Sequence, residues 1–204
     1  MKDLYTLARH SVAGLIVLLA LTVILGLAYP FAVAGVAALT MPWQAQGSYV
    51  TASGEHTTDP GASVGSEIIG QLTNGDPALF QSRPSAAGDG YDPLNTYGSN
   101  LGPLSEELVT SIEERKAEVA EREGADASDV PPDAVTASAS GLDPHISVAY
   151  AELQVPRVAA ETGLGEQEVR DLVDRNTTSR ALGFLGEPAV NVLMLNLAVR
   201  AASP

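Results

Sequence analysis

The chain has 204 residues, with 11 Lys or Arg against 25 Asp or Glu, three His and no Cys. A formal charge of -14 and a pI near 4.4 exclude direct nucleic-acid binding, which needs a clustered basic surface. Without cysteine there are no disulfides and no thiolate metal ligands. The length allows one folded domain plus attachments. A mean hydropathy of +0.10 is high for so acidic a chain, so the apolar and acidic parts are segregated along the sequence.

The segregation lies at the N-terminus. From Ser11 to Gly54 there is no Asp, Glu, Lys or Arg, and Val12 to Leu39 is almost wholly apolar. A helix of about 20 residues crosses the ~30 Å hydrocarbon core of a bilayer, so residues 12–39 predict one membrane-spanning helix with length to spare. A cleaved signal is the competing reading, with Ala32-Val33-Ala34 imitating a cleavage site, but the apolar run is too long and continues past that site. Lys2 and Arg9 precede the run and no basic residue follows it until Arg83. Positive flanks stay inside, so residues 1–11 are expected in the cytoplasm and everything beyond about residue 40 outside. Setting aside the first ten residues leaves nine Lys or Arg and 24 Asp or Glu, a net charge of -15 on the outer part. Gly14, Gly26 and Gly35 suit close helix approach, although such residues are common in any membrane helix. Pro30 predicts a kink or the point of emergence, and Met41-Pro42-Trp43 an interfacial boundary.

Residues 40–66 read as a Gly/Ser/Thr-rich linker or short hairpin, and 67–204 as a small extracytoplasmic α+β domain. Ala86 to Pro103 is a long irregular tract of the kind that is usually functional or disordered. Leu104 to Glu123 predicts a helix with Ser105 as N-cap and Gly124 as stop, and a break follows at Pro131-Pro132. Ser147 caps a further helix running to Glu161, with Pro156 inside it, and Glu166 to Arg175 is a short amphipathic helix. The apolar run Val190 to Val199 reads better as a strand than as a helix, a choice that length alone does not decide.

Chemistry-bearing motifs are mostly absent. With Lys2 and Lys116 as the only lysines there is no GxxxxGK[ST] loop. Neither Asp-Lys-Thr-Gly, the mark of a phosphorylated pump aspartate, nor a Thr-Val-Gly-Tyr-Gly filter occurs. His10, His56 and His145 lack metal-site spacing. Ser138 to His145 brings Ser, Asp and His together, but without a GxSxG elbow it reads as a turn network, with Asp143 and Ser140 bonding backbone amides and His145 anchoring the next helix. Asn176-Thr177-Thr178 has glycosylation spacing and reads as a helix-end turn. Val155 to Arg175 mimics a helix-turn-helix, yet Glu166, Glu168, Asp171 and Asp174 make its second helix acidic, so packing of two helices is the better reading.

Six strings then occur in order: Ser82-Arg83-Pro84-Ser85-Ala86, Gly98-Ser99-Asn100-Leu101-Gly102-Pro103, Val135-Thr136-Ala137-Ser138, Gly141 to Ser147, Gln154 to Ala159, and Leu182 to Pro188 with Val190 to Leu193. Together with the preceding membrane helix they resemble the KdpC family, the small C subunit of the bacterial Kdp potassium-transporting P-type ATPase. Tyr97 and Ala139 stand where that family usually carries glycine. The resemblance implies a non-catalytic accessory subunit in the cell membrane. It would stabilise the assembly and act as a catalytic chaperone that raises the ATP affinity of the pump subunit. The implied partners are a channel-like potassium subunit, a P-type ATPase pump subunit and a very small membrane subunit, besides membrane lipid, with no nucleic acid. ATP, Mg and K+ would be used by the complex, with no cofactor assigned to this chain.

An outer charge of -15 near a pore mouth would also concentrate cations within the ~8 Å screening length, although the same charge would serve simply to keep an exposed domain soluble. The candidate scaffold or partner-contact residues in the matched strings are Arg83, Ser85, Asn100, Asp143, His145, Arg157 and Glu187. Catalytic and metal residues are expected to be none. A membrane-tethered binding or sensor module is the alternative to the transport reading, and a tethered hydrolase is opposed by the missing nucleophile motif.

Overall fold

The computed structural model describes residues 2–204. Met1 and the side chain of Lys2, part of the positive N-terminal flank, lie outside the described residues. The chain divides into two compact units that meet in sequence at Ser48 and Tyr49.

The first unit is helical. α1 (Lys2–Val23) passes through a π-helical segment, Ile24–Ala28, into α2 (Tyr29–Thr40), and α3 (Pro42–Ala45) follows. Asp3–Thr40 is long and apolar enough to cross a membrane, and its 38 residues extend about 57 Å at ~1.5 Å each. The expected span of 12–39 therefore lies inside a longer helix, and the charged residues before it occupy that helix's first turns rather than a separate tail. Pro30 does not break the helix. Its ring would clash with the carbonyl of Gly26 in regular α geometry, and the wider π turn, in which the Tyr29 N–H reaches Ile24 O, lies immediately before it.

The second unit begins at Tyr49, within the stretch expected as linker. β1 (Tyr49–Val50) lies between β2 (His56–Thr57) and β3 (Gly65–Ser66) in a small antiparallel sheet, with Tyr49 opposite both Thr57 and Ser66. The sequence offered little sign of this because each strand has two residues and Val50 is the one fully buried apolar side chain among the six.

The rest is a helical layer around a second sheet. α4 (Glu106–Glu123) starts at Ser105, whose hydroxyl accepts from Leu108 N, and ends at Gly124 with φ 64°. α5 (Pro132–Val135) is one turn, and α6 (Val148–Thr162) and α7 (Glu166–Arg175) follow. The second sheet is antiparallel in the order β4 (His145–Ser147), β6 (Ala189–Asn191), β5 (Thr177–Thr178). Ile146 and Thr177 both face Val190 in register. α6 packs on α7, as expected for two helices joined at a turn, and α7 packs on α8 (Val192–Ala202). Phe80, Ile146, Tyr150, Val155, Val158, Val169, Val173, Val190 and Leu195 lie at the centre of one core.

Val190–Val199, expected as a strand, is a strand for two residues and then a helix. Asn191 makes the switch: its Oδ1 accepts from Met194 N at 3.1 Å as an N-cap, and its Nδ2 donates to Glu67 O at 2.7 Å. Leu195, Asn196 and Val199 then bury one helical face. Tyr97 and Ala139 are absent from the left-handed backbone positions among the described residues, so neither needs a glycine's freedom. Glycine is needed beside them. A Cβ on Gly98 would stand 2.5 Å from the Ala139 carbonyl oxygen, and Gly141 combines φ 72° with Ala87 Cβ at 2.6 Å from such a Cβ.

Candidate functional site

Arg83, Asp143, His145 and Glu187 line one open cavity of about 350 Å³, together with Asp133, Ser147 and Pro188. Arg83 arrives on the irregular segment after Gln81, Asp143 and His145 lead into β4, and Glu187 leaves the loop before β6. The Arg83 Nη1 donates to Asp143 Oδ2 at 3.1 Å, while its Nε is buried without a hydrogen-bond partner among the described residues. Asp143 Oδ1 accepts from the His145 N–H at 3.0 Å and lies 3.3 Å from His145 Nδ1. The hydrogen bond from His145, helped by the nearby Arg83 guanidinium, holds the Asp143 carboxyl below the usual carboxylate range against its partial burial.

Serine hydroxyls in this region hold the backbone. Ser138 Oγ accepts from Gly141 N at 3.2 Å, and Ser140 Oγ from Leu142 N at 3.1 Å. Together with the Asp143 bond to the His145 N–H, these contacts form a network of turns. His145 does not anchor the following helix. Asp133 does so: its Oδ2 accepts from Ser147 N at 2.7 Å and its Oδ1 from Ser147 Oγ at 2.8 Å, while that Oγ accepts from Tyr150 N at 3.0 Å.

Ser85 works one turn away. Its hydroxyl donates to Gly141 O at 2.7 Å and accepts from Tyr91 N at 2.9 Å, so one side chain ties two irregular segments 56 residues apart. Tyr91 OH donates to Arg83 O at 2.9 Å, and burial pushes the phenol up to about 12. Asn100 is exposed, with a left-handed φ of 52°, and is not brought into the cavity. Glu187 pairs with Arg180 at the surface.

Arg157 belongs to a different, buried centre. Its Nε donates to Glu123 Oε2 at 2.8 Å, its Nη1 to Leu79 O at 3.0 Å and also to Pro77 O, and its Nη2 to Gln154 Oε1 at 2.9 Å. The other Glu123 oxygen accepts from Arg122 Nε at 2.7 Å, and the Glu123 side chain is 0% exposed. Gln154 Oε1 also accepts from Gln81 N at 2.6 Å, and its Nε2 donates back to Gln81 O at 3.2 Å. Each polar group buried here finds a partner, and segment 77–81, a turn that runs into irregular backbone, is held by side-chain amides and the guanidinium rather than by a neighbouring strand.

Glu123, Gln154 and Asn196 were not singled out from the sequence. The signal was a polar residue on the apolar face of a helix: Gln154 beside Ala151, Val155 and Val158, and Asn196 inside Val192–Val199. Among the described residues no group of three or more His, Asp or Glu could hold a metal ion. What the arrangement does chemically is brace loops around a small domain.

Comparison with known proteins agrees along nearly the whole length. Residues 11–201 match the family model described as KdpC, the c chain of K+-transporting ATPase. A "Potassium-transporting ATPase KdpC subunit" from Kineococcus radiotolerans is 53% identical over 201 residues, 98% of each chain. Proteins of the same name from Koribacter versatilis and Mycobacterium tuberculosis are 43% identical over 196 residues and 45% identical over 192. These cover 96% of this chain and 96% of the first relative, and 94% of this chain and 97% of the second.

Proposed function

The chain belongs to the KdpC family, as a subunit of a potassium-transporting ATPase, and from that premise we propose that it is the non-catalytic accessory subunit of an ATP-driven potassium uptake complex. In this reading α1 and α2 fix the chain in the cell membrane with the N-terminus in the cytoplasm. The unit from Tyr49 onward stands outside, against a channel-like potassium subunit. The P-type pump subunit and a very small membrane subunit complete the assembly. ATP and Mg are used by the pump and K+ by the channel-like subunit, with none assigned to this chain. The observation that carries the reading is the full-length match to relatives named as this subunit.

The braced loops suit the role. A domain whose irregular segments are held by Ser85, Asp143 and Arg157 presents a preorganised surface, which lowers the entropic cost of docking. An external unit does not reach cytoplasmic nucleotide. A rise in ATP affinity must therefore pass through the membrane helix as preferential stabilisation of one pump conformation, with a coupling typically of about 1–3 kcal/mol.

The test is the ATP dependence of K+-stimulated hydrolysis by complexes purified with and without this chain. The apparent ATP affinity falls about 5- to 150-fold on its loss if the coupling has the typical size. Equal affinity and equal turnover in both preparations contradict the chaperone role.

A further inference from the structure

Between β5 and β6 the chain closes a short hairpin onto itself. Ala181 and Leu185 exchange backbone hydrogen bonds, each 2.9 Å, Gly183 N donates to Arg180 O at 3.0 Å, and Arg180 pairs with Glu187 across the base. Gly183 and Gly186 have φ of 81° and 79°, and Leu182, with no glycine's freedom, holds φ 54°. The side chains at the tip point to solvent, with Leu182 83%, Phe184 68% and Leu185 50% exposed. A loop without these bonds would be free to fold its leucines and phenylalanine onto the domain, whereas this one is braced with them outward. From Thr177 to Ala189 the only charges are Arg180 and Glu187, and they are paired with each other. An apolar tip depleted of free charge, on a chain otherwise dense in carboxylates, has the composition of an interface core.

We infer that the Arg180–Glu187 hairpin is a preformed docking knob whose Leu182, Phe184 and Leu185 side chains seat in an apolar pocket on another subunit of the transport complex, outside the membrane. This rests on the proposed subunit role. Charge selects the occupant. Two copies of an outer unit of charge -15 repel each other, and an anionic lipid surface repels it as well. The knob carries no unpaired Lys or Arg to offset that repulsion. A protein pocket with an apolar floor and a neutral or basic rim fits both the shape and the charge.

The experiment places a photoreactive benzoylphenylalanine at position 184 of the full-length chain in the assembled complex, and separately purifies the double variant Leu182→Ser, Phe184→Ser through a tag on the chain. The expected results are a crosslink to another subunit and a loss of recovered complex on the order of tenfold or more, as for hot-spot side chains. The variant chain should keep its thermal midpoint, because both side chains are exposed. If the double variant misfolds, the crosslink alone decides. A crosslink to lipid or to a second copy overturns the inference, as does undiminished recovery of the folded double variant. If the wild-type chain recovers no partner at all, the subunit reading itself fails and this inference with it. Wild-type recovery with no effect at the knob removes the inference alone.

Discussion

Asn196 on α8 pairs with both backbone groups of Phe80, 116 residues away. Its Oδ1 accepts the Phe80 N–H at 2.8 Å, and its Nδ2 donates to the Phe80 carbonyl at 2.9 Å. Phe80 is fully buried, so these two groups have no access to water. Asn196→Leu leaves both unpaired at about 1–3 kcal/mol each, so the variant should lose roughly 2–6 kcal/mol. Thermal unfolding of the full chain in detergent, followed by the near-ultraviolet signal of its tyrosines, measures the loss. Hydrogen exchange at the Phe80 amide should accelerate in parallel.

The Arg157 fork gives a second, larger effect. Arg157→Met strips one of two cations from the buried Glu123 carboxylate and one of two donors from the Leu79 carbonyl, which keeps only Gln81 Nε2. Breaking a buried pair of this kind costs about 3–5 kcal/mol. Arg157→Lys should recover little of it, because an ammonium cannot reach the carboxylate, the carbonyl and the Gln154 amide in one plane. Arg122, 34% exposed at its side chain, should matter less, about 1 kcal/mol on replacement by Ala. Chemical denaturation of the three variants ranks them.

Two groups give the stability a pH dependence of opposite sign. The folded-state pKa of Asp143 is depressed, so its contribution is present above the ordinary carboxylate value of about 4 and is lost as pH falls through the lower folded value. The pair is partly exposed, and Asp143→Asn should flatten the acid limb by about 1 kcal/mol or less. Tyr91 is raised to about 12, so its contribution is present below the ordinary value near 10 and is lost as pH climbs from there towards 12. Tyr91→Phe should flatten the alkaline limb and lower stability at neutral pH by about 1 kcal/mol through loss of the bond to Arg83 O. Thermal midpoints across pH 2–12 test both.

Because the chain has no cysteine, single introduced thiols report its topology. Glu118→Cys, on the exposed face of α4, should react with a membrane-impermeant maleimide in intact cells, whereas Asp3→Cys should react only after permeabilisation. Labelling of Asp3→Cys in intact cells, with Glu118→Cys protected, would reverse the orientation.

The sequence was informative where a local rule has a local cause. Ser105, Ser147, Gly124 and Gly163 mark helix ends because capping is satisfied within four residues, and Glu166–Arg175 shows its apolar stripe directly. It misled where the cause is distant. Val190 to Val199 is apolar enough for either state, and Asn191 becomes a cap only because the strand register ends there against His145. The two-residue strands β1, β2 and β3 carry no readable period. At the site, Arg83, Asp143 and His145 were legible together because two matched strings meet across one ion pair. Asn100 and Glu187 lie in matched strings as well, and Asn100 stands apart in solvent. Glu123 was hidden on a helix that reads as ordinary charged surface, since nothing nearby reveals that Arg157 approaches from α6.

The proposed place of this chain in a potassium-transporting complex depends on its own contacts. The most direct measurement is affinity purification of the tagged full-length chain from detergent-solubilised membranes, with the recovered proteins identified by mass spectrometry. The expected result is stoichiometric recovery of a multi-spanning channel-like subunit and a P-type ATPase, with K+-stimulated ATP hydrolysis in the eluate. Isolation of the chain as a lone monomer, with neither protein present, would contradict it.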